Sequence, residues 1–178
     1  MAPIETFKSW TETMRADVDA LKAVVEASAA ELPARKLAAG ALSYLVSRMD
    51  LVPDWNAGIG FADDVMVLRV AAQLIQNHDT GDLPTSATVA LGRMANEADV
   101  VSAFLGAALF EKFRAHVSKL TDQVVRARTP GVIVDDDAAR AALWREVNDE
   151  LTKTTTVVIG DVADAEVRLK AYLAHKLA

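Results

Sequence analysis

Four aspartates, Asp50, Asp54, Asp63 and Asp64, fall in the stretch YLVSRMDLVPDWNAGIGFADD (residues 44–64), together with two glycines and a proline. Carboxylates crowded into one turn can do three kinds of chemistry. They accept hydrogen bonds from free backbone N–H groups, they pair with a cation, or they supply the oxygen ligands that calcium or magnesium prefers.

Position separates the four. Asp63 and Asp64 stand where a helix is expected to begin, so backbone N–H groups and the helix dipole account for them. Asp50 lies toward the C-terminal end of the preceding helix, where a negative charge is unfavourable. Asp54 follows Pro53 in a turn whose neighbours Leu51, Val52 and Trp55 call for burial. A carboxylate held in an apolar turn must find partners or take up a proton. Its partners could be the N–H groups of the loop at Gly58 and Gly60, the cations Arg48, Lys36 and Arg69, or a metal ion. The spacing differs from the calcium loop of an EF-hand, which alternates ligands and closes with a glutamate. A structural clamp is the first expectation. The alternative is a calcium or magnesium site with Asp50, Asp54, Asp63 and Asp64 as ligands, serving an enzyme or a sensor.

The elements that must position these residues read as helices. Phe7, Trp10, Met14, Val18, Leu21 and Val25 recur at steps of three and four, which predicts an amphipathic helix over residues 4–30. A second helix runs from Pro33 to about Met49 and a third from Ala62 to about Asn77. Both are apolar enough to demand burial, the third keeping only a narrow polar stripe of Arg69, Gln73 and Gln76. A helix over residues 86–97 leads into a long one that holds register from Val101 to Val124. Pro130 and Gly131 end it, and Asp135, Asp136 and Asp137 open a helix carrying Leu143 and Val147. TKTTTVVIGD (residues 152–161) reads as an extended connector, and a last helix covers residues 162–177. The expectation is an all-α, single compact helical domain of six or seven helices around a buried helical hairpin. One domain spans residues 1–178, with the hairpin core at 37–76 and the C-terminal helices at 98–178.

Composition narrows the function. The chain has 178 residues, a net charge of −6 and no cysteine. The acidic balance, without a basic stripe, argues against nucleic acid as a partner. Absence of cysteine removes disulfides, thiolate metal sites and a cysteine nucleophile. No apolar run reaches the roughly 20 residues a spanning helix needs, and the N-terminus has no signal-like pattern, so a cytoplasmic, soluble protein is expected. His78, His116 and His175 lack metal-ligand spacing, with His78 read as a solvated loop residue and His116 as half-buried. Trp10, Trp55 and Trp144 read as core or edge aromatics. GIGFAD follows no strand and lacks the third glycine of a dinucleotide loop. No catalytic constellation is visible.

YLVSRMDLVPDWNAGIGFADDVMVL resembles the signature of the YkvA-like family, the bacterial domain of unknown function 1232. The matching positions are Tyr44, Leu45, Ser47, Asp50, Leu51, Pro53, Asp54, Gly60, Asp63 and Asp64, within residues 37–76. Arg48 stands where the family usually has proline, and should bring a cation beside Asp50. The resemblance implies a helical hairpin and no activity, and since some relatives are regarded as membrane-associated it leaves peripheral attachment open. The reading that results is a non-catalytic interaction or assembly module, with a protein partner or a homo-oligomer, at the membrane periphery or free of it. No bound cofactor is expected on that reading, the metal-dependent alternative being the exception.

Overall fold

α3 (Leu32–Leu45) and α4 (Ala62–Ile75) form the centre of the molecule, because neither has a face fit for water. Ten of the first eleven residues of α4, Ala62, Asp63 and Val65 to Ala72, are buried, and Asp64 between them is half-buried. A helix apolar on all sides must be surrounded. α2 (Met14–Glu26) covers α3, and α5 (Thr85–Leu105) covers α4. α1 (Pro3–Trp10) continues into α2 through a 3-10 turn at Thr11–Thr13, so the first expected helix is two segments with one apolar face. Phe7 packs edge-on against Phe104 of α5, their ring centroids 5.2 Å apart.

The computed structural model describes residues 1–153 and 156–178, which form nine α-helical segments, and no strand is present among them. Thr154 and Thr155, in the expected connector, lie outside the described residues. The fold is all-α, with more segments than the six or seven expected.

The extra ones have local causes. The long helix expected to begin near residue 98 instead belongs to α5 up to Leu105, and Gly106 breaks it at φ 78° and ψ 161°. Chain direction changes there, and α6 (Ala107–Lys119) starts anew. Apolar register carries straight across the break, which is why periodicity alone does not reveal it. Pro130 opens a short helix, α7 (Pro130–Asp135), capped by the Thr129 hydroxyl, which accepts from the Val132 N–H at 3.3 Å. α8 (Asp137–Thr152) is capped by Asp136, and α9 (Val162–Lys176) by Asp161. One continuous apolar core draws on α1 to α9.

Arg69 departs from its expected place. Rather than lying on a polar stripe it is fully buried, its guanidinium over the Trp10 ring at 4.5 Å and its charge met by Asp17 at 2.9 Å and Glu97 at 2.9 Å. No helix among the described residues is long and apolar enough to cross a membrane.

Candidate metal centre

The loop between α3 and α4, residues 46–61, is a chain of tight turns around buried Leu51, Val52 and Ile59. Asn56 accepts at its carbonyl from the N–H groups of Ile59 and Gly60, at 3.2 and 2.9 Å. At Gly60 a Cβ would lie 2.6 Å from the Asp54 carbonyl oxygen, so the loop can fold back on itself only with glycine there. Arg168 of α9 holds the loop from outside, donating to Asn56 Oδ1 at 3.1 Å.

Tyr44, in the last turn of α3, ties this loop to α4. Its hydroxyl donates to Asp63 Oδ2 at 2.5 Å and accepts from the Leu51 N–H at 2.8 Å. The Val52 N–H donates to the same Asp63 oxygen at 3.2 Å. Burial and the adjacent Asp63 carboxylate push the Tyr44 hydroxyl far above its ordinary range, so it stays a neutral donor. The hairpin is clamped, but by Asp63 reaching back to the loop. Asp50 and Asp54 were the residues expected to reach forward.

Asp63 is fully buried and its other oxygen, Oδ1, has no hydrogen-bond partner. Asp63 therefore has one oxygen committed to the clamp and one free. Asp50, in the loop beyond the end of α3, and Asp64 converge on it: one oxygen from each of the three carboxylates lies within 4.8 Å of the others. Asp54 is exposed and outside this group. Three of the four expected ligands thus come together and the fourth does not.

Among the described residues no cationic side chain pairs with the cluster. Arg69 is spent on Asp17 and Glu97, and Lys36 reaches Asp122 at 3.4 Å. Arg48, expected beside Asp50, is exposed, and among the described residues no lysine or arginine forms an ion pair with Asp50, Asp63 or Asp64. The charges that raise Asp50 are those of Asp63, Asp54 and Glu150 of α8, and the same three with Asp50 raise Asp64. Burial first, and these carboxylates second, push the Asp50 carboxyl from 3.8 up to about 7. Burial raises Asp63 to about 6 against the lowering effect of its bonds from Tyr44 and Val52, and holds Asp64 well above the usual range. The expectation that the helix start alone accounts for Asp63 and Asp64 fails on this point. The dipole of α4 favours them, yet it does not offset their desolvation and mutual repulsion.

A cleft of about 690 Å³ opens beside the cluster, with Asp50 on its wall. Trp55 projects from its rim with 79% of its surface exposed, and Met49 with 76%, so Trp55 is neither a core nor an edge aromatic. Trp10 is in the core, and Trp144 is half-buried with its Nε1–H donating to Glu26 at 2.7 Å. His116 is half-buried, edge-on to Tyr44, and His78 meets Glu31 at 2.9 Å.

Sequence reasoning gave Tyr44 no role of its own and did not select Glu150. The signal for Tyr44 was available, since a tyrosine in a helix built mainly of Ala and Leu must find a partner for its hydroxyl when buried. Glu150 is remote in sequence and only the packing of α8 brings it near.

Comparison with known proteins agrees with the signature. The family model described as a protein of unknown function (DUF1232) matches residues 34–69, from the first turn of α3 to the middle of α4. That stretch contains Tyr44 and all four aspartates. No curated protein matches the chain, and no solved structure does.

Proposed function

We propose that this protein binds a divalent cation of the calcium, magnesium or manganese type through Asp50, Asp63 and Asp64. The observation that carries the reading is Asp63 Oδ1, a buried oxygen without a donor among three convergent carboxylates. A buried anion left unpaired is costly, and a cation supplies what the protein's own side chains do not. Carboxylate oxygens favour hard ions over zinc. Opposite ligands around calcium stand about 4.6–5.2 Å apart, and around magnesium about 4.0–4.2 Å. The three oxygens lie within 4.8 Å of one another, inside the diameter of a calcium coordination sphere, so one ion could reach all three.

The test is the unfolding midpoint of the full chain in chelator and then with each metal in turn. At a hundred times its dissociation constant an ion contributes about 2.7 kcal/mol, about 5–11 °C for a chain of this size. The shift should vanish in Asp63→Asn and Asp50→Asn and persist in Asp54→Asn. Equal midpoints with and without every metal would sink the reading.

The second reading, an interaction or assembly module at or away from a membrane surface, rests on exposed Met49 and Trp55. The apolar faces of α3 and α4 lend it nothing, because the chain covers them itself. Sedimentation that shows a monomer, unchanged in Trp55→Ser, would remove the homo-oligomer form of it.

A further inference from the structure

Asp50 belongs both to the carboxylate cluster and to the wall of the cleft, so a cation held by the cluster stands at the cleft's edge. Three carboxylates leave about half of a six-to-eight-fold oxygen sphere open. The open positions need further oxygen ligands.

The lining of the cleft also carries cations. Arg48 enters from the loop after α3, Arg126 from the turn before α7, and Lys176 from the last turn of α9. Arg48 and Lys176 form no ion pair among the described residues. Arg126 meets Glu146 at 3.5 Å, with its side chain 42% exposed. Lys153 is also on the wall but is engaged by Glu150 at 2.7 Å.

Arg126 is held there against backbone preference. Its φ is 50° and that of Ala127 is 62°, in a two-residue turn closed by Val125 and Arg128, each N–H donating to the other's carbonyl at 2.9 and 3.1 Å. Such turns are ordinarily built from Asn and Gly. Two consecutive non-glycine residues in the left-handed region are unfavourable, and strain of this kind is found where a side chain must be held in place.

The cleft also carries Asp50, Asp54 and Glu150, which repel an anion, and a divalent cation would offset part of that charge and present an electrophilic centre to a phosphate oxygen. We propose that the cleft binds a phosphate-bearing anion, one phosphate oxygen completing the sphere of a cation held by Asp50, Asp63 and Asp64 and the others meeting Arg48 and Arg126. This rests on the metal reading above. Phosphate suits the site because it offers several oxygens to a metal on one side and guanidinium groups on the other. The exposed Trp55 ring on the same rim offers an apolar face to the organic part of a phosphate ester.

Calorimetric titration of the full chain tests this, first with Mg²⁺ or Mn²⁺ alone, then with phenyl phosphate in metal and in chelator. Phenyl phosphate should bind in metal and fail to bind in chelator. Arg126→Gln and Arg48→Gln should each weaken it by about tenfold or more, while leaving the metal-induced rise in unfolding midpoint intact. Absence of any metal response would remove the metal reading itself. A normal metal response with no phosphate binding, with binding equal in chelator, or with both arginine variants neutral, would overturn the phosphate proposal alone. Co-sedimentation with phosphatidylcholine vesicles, with and without phosphatidic acid, identifies the source. Metal-dependent binding to the acidic vesicles, lost in the arginine variants and stronger than that of phenyl phosphate, points to a lipid headgroup. The reverse order points to a soluble ester.

Discussion

α4 carries two buried charge clusters, little more than one helical turn apart, and they are built on opposite terms. At Arg69 every charge is answered. The guanidinium meets Asp17 and Glu97 at 2.9 Å each, Arg93 meets both acids as well, and Thr13 accepts from Arg69 at 3.1 Å while donating to Asp17 at 2.9 Å. Two cations face two anions. At the start of the same helix three carboxylates gather with no cation paired to them among the described residues, where one buried oxygen also has no partner. Folding selects strongly against unpaired buried charge, because the penalty is several kcal/mol per ion. The chain satisfies this requirement at one cluster and not at the other, and the second is where the proposed ion would bind.

The largest expected effect breaks the compensated cluster. Arg69→Met keeps the bulk of the side chain over Trp10 but leaves fully buried Asp17 with one cation fewer. Loss of one partner from a buried pair costs about 3–5 kcal/mol, to be measured by urea unfolding. Adding Asp17→Asn should recover part of the loss, since the two residues share one network. At the acidic cluster the same kind of change has the opposite sign, and a comparable loss from Asp63→Asn would erase the distinction drawn here.

Next in size is Tyr44→Phe, which opens the clamp without removing any carboxylate. It strips the Leu51 N–H of its acceptor and Asp63 of its strongest donor. A buried group left without its partner costs about 1–3 kcal/mol, and the loss should appear both in chelator and in metal. Metal affinity should fall as well, because Asp63 would no longer be held in its present orientation. Unchanged stability would mean that the Tyr44–Asp63 bond is dispensable and that packing alone closes the hairpin.

Sequence made much of this legible, for reasons that differ by element. α3 and α4 announce themselves because Leu37, Leu42, Val65 and Leu68 sit in runs with almost no polar alternative, bounded by Pro33 and by the glycine loop. The crowding of aspartates is equally plain. What one dimension does not carry is which of them converge: Asp54 is as close in sequence to Asp50 as any, yet it turns to solvent, while Asp63 and Asp50 meet across the loop. Arg69 was misplaced for a related reason. A single arginine in an apolar helix reads as a thin polar stripe, and its answering charges are on α2 and α5, where only tertiary packing delivers them. Trp55 was misplaced because residue type favours burial while the tight turn around Asn56 points its ring outward. Gly106 broke a helix that the apolar pattern carries through, since glycine fits a helix or a break and the pattern cannot decide between them.

The smallest expected effect concerns pH, and it sharpens the contrast between the clusters. Folded-state carboxyls raised above 3.8, to about 7 at Asp50 and about 6 at Asp63, mean that the folded chain binds more protons than the unfolded one between those values. Stability in chelator should therefore fall as pH rises from about 4 to about 7, the reverse of the usual behaviour of paired carboxylates. The groups that set this dependence are Asp50, Asp63 and Asp64 together with Asp54 and Glu150, which face them from the loop and from α8. His116 acts in the opposite sense: burial lowers it, so its contribution grows as pH rises through the histidine range. A His116→Gln background removes that opposing slope. In that background Asp63→Asn should flatten the fall in midpoint and raise stability at pH 8 by up to about 1 kcal/mol, since its amide can still accept from Tyr44 while donating to a neighbouring carboxylate. Saturating metal should flatten the same slope in the unmutated cluster by displacing the shared protons, and proton release on metal addition should diminish between pH 6 and pH 8. A midpoint in chelator that instead rises steadily over this range would show the three carboxylates to be compensated after all, by contacts equivalent to those around Arg69.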